Sequence, residues 1–224
     1  MATKTKKARK TAPKRASSYH HGALRVALIR SAREILEAEG YEALTLRAAA
    51  RRAGVSQAAP YNHFADKAAV LAAIAALGFK EFGDAMRQEM SAAEDPQARL
   101  NATGIAYVAF ATSNSGLFKL MFGSSVHQSS GNPDLDAART AAYEVLRGAV
   151  HSAQSGPRDS EHDELESLRS WAFVHGLATM INAGTIAPDA YGARSARELT
   201  AALFGAPPEE KEGSARPAAK KTRK

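Results

Sequence analysis

Residues 44–64 read LTLRAAARRAGVSQAAPYNHF, and the turn at the centre of this stretch decides the fold. Leu46, Ala49, Ala50 and Ala53 recur at helical spacing after Thr45, a residue type favoured just before a helix. Gly54 follows, and glycine accepts a left-handed backbone without a Cβ penalty. Val55 then supplies an apolar plug, and Ser56 an N-cap for a second short helix reaching Phe64. The small Ala49 and Ala50 let the two helices approach. This spacing predicts a helix-turn-helix, whose second helix enters a DNA major groove. An ordinary helical hairpin shares the local pattern, so context has to decide.

Working outward, the periodicity is helical almost everywhere, with no alternating strand pattern. Leu24, Leu28, Ala32, Ile35 and Leu36 line one face of a first helix that stops at Gly40. Downstream, Asp66 caps a helix with Val70, Leu71, Ile74, Leu77, Phe82 and Met86 inward, and Pro96 opens another running to about Ser113. An aromatic piece from Leu117 to Phe122 leads into a Gly/Ser/Asn loop at 123–133. Helices are then predicted over 134–153, 163–183 and 189–204. The class is all-α, with about nine helices: a three-helix DNA-binding domain over 17–67 and a helical body over 68–206.

Charge separates these parts. The chain of 224 residues carries a formal +7, but residues 1–16 hold seven Lys/Arg and no acid. Residues 207–224 hold six bases against three glutamates, so the body between the tails is mildly acidic. Both tails lack large apolar residues and are expected to be disordered. A basic end beside an acidic body points to nucleic acid at one end of the protein. The chain has no cysteine, which excludes disulfides, thiolate zinc sites and cysteine nucleophiles. No apolar run is long enough to span a membrane, and no apolar segment follows the basic N-terminus as in a signal peptide. A cytoplasmic, nucleoid-associated location is expected.

The run Thr45-Leu46-Arg47 … Ala53-Gly54-Val55-Ser56 … Tyr61-Asn62-His63-Phe64-Ala65-Asp66-Lys67 … Leu71 closely resembles the DNA-binding domain of the tetracycline-repressor (TetR/AcrR) family. Tyr19-His20-His21-Gly22 and Glu39-Gly40-Tyr41 look like that family's entry to and exit from the first helix. Trp171-Ala172-Phe173-Val174-His175-Gly176 resembles the signature of one branch, named for its Trp, His and Gly; Leu117 to Gly123 is similar to a second stretch of it. The resemblance covers roughly residues 18–205. Two departures stand out: Ala48 replaces the Glu common three residues after the Thr cap, and Pro60 lies inside the recognition helix.

Chemistry and resemblance together assign candidate DNA contacts. Thr45, at a helix N-terminus, can present its hydroxyl and nearby amides to a phosphate, and Lys67 repeats this with a charge. Gln57 is the best reader of base edges, while Ala58 offers only a methyl group for thymine. Tyr61 and His63 resemble the family's backbone contacts; Ser56, Pro60 and Arg47 complete the set. Phe64 is read as core. The tails are expected to add affinity without specificity, through counterion release.

The helix expected over 163–183 is apolar most of the way round from Trp171 to Ile181, so it must be buried on two sides. The second side is most simply another subunit, joined by Leu199, Leu203 and Phe204 of the last helix. A homodimer would read a pseudo-palindrome of double-stranded DNA. The resemblance further implies a ligand-binding and dimerisation role for residues 68–206. Tyr107, Phe110, Phe118, Met121, Phe122, Trp171, His175 and Met180 are its candidate lining for a small, mostly apolar effector. His175 is read by preference as a core or interface histidine bonded to a backbone carbonyl. The adjacent His20 and His21 point in different directions on a helix and make a poor chelator. No cofactor or metal is expected, and no nucleophile elbow, phosphate loop or paired carboxylates suggest an enzyme. The sequence therefore predicts a dimeric, effector-released repressor. The alternative is a nucleoid-type architectural protein that coats DNA through its lysine-rich tails.

Overall fold

The computed structural model of the protein describes residues 15–127, 131–154 and 160–205. The basic tails lie outside these residues, apart from Arg15 and Ala16, which begin the first helix. Among the described residues every regular element is helical. They are α1 (Arg15–Glu39), α2 (Leu46–Arg52), a 3₁₀ helix (Ala59–Asn62), α3 (Lys67–Ser91), α4 (Pro96–Ser113), α5 (Ser115–Phe122), α6 (Ser124–His127), α7 (Pro133–Ala153), α8 (Ser160–Asn182), a second 3₁₀ helix (Pro188–Tyr191) and α9 (Ala196–Leu203). None of these helices is long and apolar enough to cross a membrane. The described residues divide into two compact units: those up to 84 with those between 113 and 144, and 85–112 with those from 145 onward.

In the first unit, Leu28, Ala32, Ile35 and Leu36 of α1 are buried as the periodicity predicts. Thr45 caps α2: its Oγ1 accepts the Ala48 N–H at 3.0 Å, from an extended backbone. The other end of α2 closes with paired bonds, Gly54 N–H to the Arg51 carbonyl at 3.2 Å and Val55 N–H to the Ala50 carbonyl at 3.0 Å. Gly54 sits at φ +70° with open space around it, so backbone conformation alone demands glycine there.

The second helix of the motif differs from expectation. A continuous helix from a Ser56 cap to Phe64 would need an N–H at position 60 to bond the Ser56 carbonyl, and Pro60 has none. That carbonyl takes the Ala59 N–H instead, at 3.0 Å, and Tyr61 and His63 likewise bond three residues back. The segment therefore tightens into the 3₁₀ helix, whose N-cap is Ala58 and carries no side-chain bond. Phe64 is only 4% exposed and seals the motif from below.

Asp66 then caps α3 through the Ala69 N–H at 2.8 Å. Val70, Leu71, Ile74, Phe79 and Phe82 point inward, but Leu77, expected with them, is half-exposed because it falls off their arc of the helix. Gly78 brings α3 close to α5: a Cβ there would lie 2.9 Å from both Leu117 Cδ1 and Met121 Sδ. The segment expected as a loop at 123–133 contains the short α6, whose Val126 is fully buried. Burying that one valine provides a reason for a helical turn in an otherwise polar stretch. Residues 128–130 lie outside the described set.

The second unit is built on α4, capped by Asp95 through the Ala98 N–H at 2.8 Å, and on α8. Tyr107, Val108 and Ala111 of α4 are buried, as are Val174, Leu177 and Ala178 of α8. Gly104 makes room for Phe204, whose ring atoms would lie 2.7 and 2.8 Å from an added Cβ. The last helix is not continuous from 189. Gly192, at φ +76°, ends the second 3₁₀ helix, and Ser195 starts α9 by accepting the Glu198 N–H at 3.1 Å. Glu198 reaches back to the Arg194 N–H at 2.7 Å. The Ser195-x-x-Glu198 spacing is a capping signal that reading for apolar periodicity passes over.

Candidate nucleic-acid interface and effector core

Thr45, Arg47, Ser56, Gln57 and Ala58 are exposed around the turn of the helix-turn-helix, and Tyr61 is 54% exposed on the 3₁₀ helix. The Thr45 oxygen is used as the cap acceptor, which leaves its hydroxyl proton available to donate outward. His63 is half-buried. Pro60, counted above among the DNA-facing residues, is buried, and its carbonyl accepts the His63 and Phe64 N–H groups at 2.9 Å each. Its part is to shape the turn rather than to meet a base edge.

Lys67 is held in place. Its Nζ donates to the Tyr41 carbonyl at 2.9 Å and stands 3.9 Å from the centre of the Tyr41 ring. The ammonium is thereby fixed against the turn that leaves α1. Two basic residues outside the sequence assignment join this region. Arg51 is exposed on α2, and Arg25 places its guanidinium 5.5 Å from the centre of the Phe64 ring. Arg25 could not be found from local pattern, because its ring partner lies in another element. Arg52 is engaged by Glu39 at 2.6 Å.

The motif is tied to α5 by two residues one turn apart on α1. Arg33 holds Glu81 of α3 through two bonds of 2.6 and 2.8 Å and donates to Asn114 Oδ1 at 3.1 Å. Glu37 accepts the Gly116 and Leu117 N–H groups at 3.2 and 2.9 Å, so a carboxylate from α1 caps α5. Gly116 permits this, since a Cβ there would lie 2.8 Å from the Glu37 carboxylate. Beside the cap lies an open groove of about 690 Å³, lined by residues including Leu36, Tyr41, Ser115, Lys119 and Leu120. None of the residues expected to line an effector pocket borders it.

Those residues occur in two groups. In the first unit, Phe118 and Met121 are buried, and Phe122 lies at the centre of an aromatic cluster. Its ring centre is 4.8 Å from Phe118, 5.4 Å from Phe79 and 6.4 Å from Phe82. In the second unit, Trp171 Nε1 donates to the Tyr107 hydroxyl at 3.1 Å, and that hydroxyl lies 2.9 Å from His175 Nδ1. Burial raises the Tyr107 pKa far above the usual phenol value, so the hydroxyl keeps its proton. Burial also lowers the His175 pKa below its ordinary 6.5, which keeps the ring neutral at pH 7. The indole can only donate, so the Tyr107 oxygen accepts from Trp171, and the direction of its bond with His175 Nδ1 follows the imidazole tautomer. The Nδ1 partner of His175 is a tyrosine hydroxyl, because α4 presents Tyr107 within reach. Phe110 is half-buried, whereas Met180 is exposed and does not join this core.

The model for the C-terminal domain of tetracyclin repressor-like proteins matches residues 100–216, more than half of the chain. The chain belongs to the TetR family. The model for bacterial regulatory proteins of the tetR family matches residues 28–74, across the helix-turn-helix. TetR-family proteins of this kind are DNA-binding transcription regulators. A protein of unknown function from Rhodococcus sp. RHA1 is 34% identical, with 84% of this chain and 94% of that chain covered and a TM-score of 0.70. The TetR family transcriptional regulator PfmR from Thermus thermophilus shares the fold at 21% identity (80% and 94% covered, TM-score 0.58). So does a tetR-family regulatory protein from Rhodococcus RHA1 at 19% identity (81% and 93% covered, TM-score 0.59). The curated proteins contain no match.

Proposed function

We propose that the protein is a homodimeric repressor that binds a pseudo-palindromic operator through residues 17–67 and is released by a small, mostly apolar effector bound by residues 68–206. It acts in the cytoplasm, on the nucleoid. The observation that carries the dimer is the outward face of α8. Leu165, Leu168, Phe173 and Met180 on α8 and Leu203 on α9 are between 41 and 56% exposed, although Val174, Leu177 and Ala178 bury the opposite side of α8. An apolar stripe of this size on a charged protein is a protein–protein surface. Leu199, expected at the same interface, is buried within its own unit.

Two-fold symmetry would then place the two recognition segments on half-sites about 34–36 Å apart, or a multiple of that. Gln57 is the base reader, with Thr45, Arg47, Ser56, Ala58, Tyr61, His63 and Lys67 around it. Release follows from the ties between α1 and α5. An effector that displaces α5, through Phe118, Met121 and Phe122, pulls on Glu37 and Arg33 and so on the helix-turn-helix. The effector needs only a differential affinity for the two placements to shift the population.

Selection of binding sites from random duplex DNA tests this, using the full chain and a form limited to residues 15–206. A two-fold symmetric motif from both forms is the expected result. Enrichment by neither form, with the full chain still binding any duplex, would support tail-driven architectural binding instead; the tails' net charge of +10 is what favours that reading. The tails should also steepen the salt dependence, by about 0.9 in logarithmic slope for each phosphate contact.

A further inference from the structure

One cation in the first unit has a nitrogen without the acceptor its chemistry requires. Arg139 of α7 places its guanidinium 5.8 Å from the centre of the Phe79 ring. Its Nη1 reaches Asp136, one turn back on the same helix, only at 3.5 Å. Its Nη2 is buried and finds no acceptor among the described residues. A guanidinium stays charged at any physiological pH, and a buried N–H of a charged group left without an acceptor is costly. The rings beside it are those of the effector core: Phe79 contacts Phe122, which in turn contacts Phe118 and Phe82.

From this geometry we propose that Arg139 is the anion anchor of the effector site, and that the effector carries one carboxylate on an apolar body. The inference rests on the effector-released reading above and names the ligand class for it. The Phe79 ring lies beside the guanidinium, whose N–H groups point outward in its own plane, where a planar acceptor can meet them. A carboxylate bonded to Nη2 would put its apolar body against the phenylalanine cluster. Asp136 already offsets part of the positive charge, so a monoanion balances the site, whereas a doubly charged phosphate would face Asp136 at short range.

Calorimetry on the full chain tests the proposal, with decanoate and 2-naphthoate as probes beside their neutral amides. At least one carboxylate should bind tenfold or more tightly than its amide. Arg139→Met should shrink that preference to within twofold, because the carboxylate loses more than the amide does. Arg139→Lys should keep part of it. Because Nη2 bonds none of the described residues and the Nη1–Asp136 contact is long and partly exposed, Arg139→Met should melt close to the parent. A carboxylate that binds no better than its amide, or a preference that survives in Arg139→Met, overturns the anchor. So does a melting loss of several degrees in Arg139→Met, which would make the residue structural. Operator binding measured in parallel separates this failure from the other: sequence-specific binding by the parent keeps the regulator reading even if the anchor falls.

Discussion

The helix-turn-helix and helix α8 both expose side chains, and the side chains they expose differ in kind. Around the turn these are Thr45, Arg47, Ser56, Gln57 and Tyr61, groups that donate hydrogen bonds or carry positive charge. Along α8 they include Leu165, Leu168, Phe173 and Met180, which can do neither, interspersed with charged residues such as Glu164 and Arg169. The two surfaces differ in what they can meet: a polar, charged face loses little against hydrated phosphate, while an apolar face gains only by leaving water. The chemistry of what is left exposed is therefore the more informative guide to function, since both regions bury an equally ordinary apolar core.

Charging the apolar face should break the comparison most severely. Leu168→Glu with Phe173→Glu is expected to yield a folded monomer in analytical ultracentrifugation. Operator affinity should fall by about 10²–10⁴, the avidity that linking two half-site contacts provides. Unchanged oligomeric state would remove the dimer reading. Next comes Phe64→Ala, which empties a site 4% exposed beneath the recognition segment and should cost about 3–5 kcal/mol in denaturant unfolding. Tyr61→Ala, only three residues away, is the sharpening control. It should weaken operator binding roughly tenfold, about 1.4 kcal/mol, and leave the melting temperature in place. A loss of stability there would make Tyr61 a packing residue.

Two smaller effects test the supports. Glu37→Ala leaves the first N–H groups of α5 without their cap and should cost about 1 kcal/mol, read by thermal unfolding. The smallest is a pH effect at His175. Burial depresses its folded pKa, so as pH falls the unfolded chain takes up this proton first. Its contribution to stability is complete above pH 6.5, the unfolded value, and is lost as pH falls through the lower folded value. His175→Gln keeps an acceptor for the Tyr107 hydroxyl but cannot titrate. It should flatten the decline in melting temperature between about pH 7.5 and 5.5, the range that brackets an ordinary histidine.

Much of this was legible in the chain because it rests on neighbours in sequence. Gly54 with the Thr45 cap before it, Asp66 at the start of α3, and the buried spacing of α1 are local physics, set within one or two helical turns. Local chemistry also accounts for two elements that apolar periodicity alone does not place. The missing N–H of Pro60 dictates the 3₁₀ turn, and Ser195 with Glu198 marks the true start of α9.

Other features have no local signal. Arg33 and Glu37 are two ordinary charges on α1, and their partners in α3 and α5 lie 48 to 81 residues away. Tyr107, Trp171 and His175 could be singled out as bulky or polar, but only packing joined them into one hydrogen-bonded chain. Arg139 looks like any helical arginine until the fold sets it against Phe79 and withholds an acceptor from one of its nitrogens among the described residues. By itself the sequence determined most of the helices, the Thr45 and Asp66 caps and the helix-turn-helix, because helix formation depends on bonds and side chains a few residues apart. Only the tertiary structure decided which charges are paired and which apolar faces are left uncovered, because burial and electrostatic partnership depend on elements far apart in the chain.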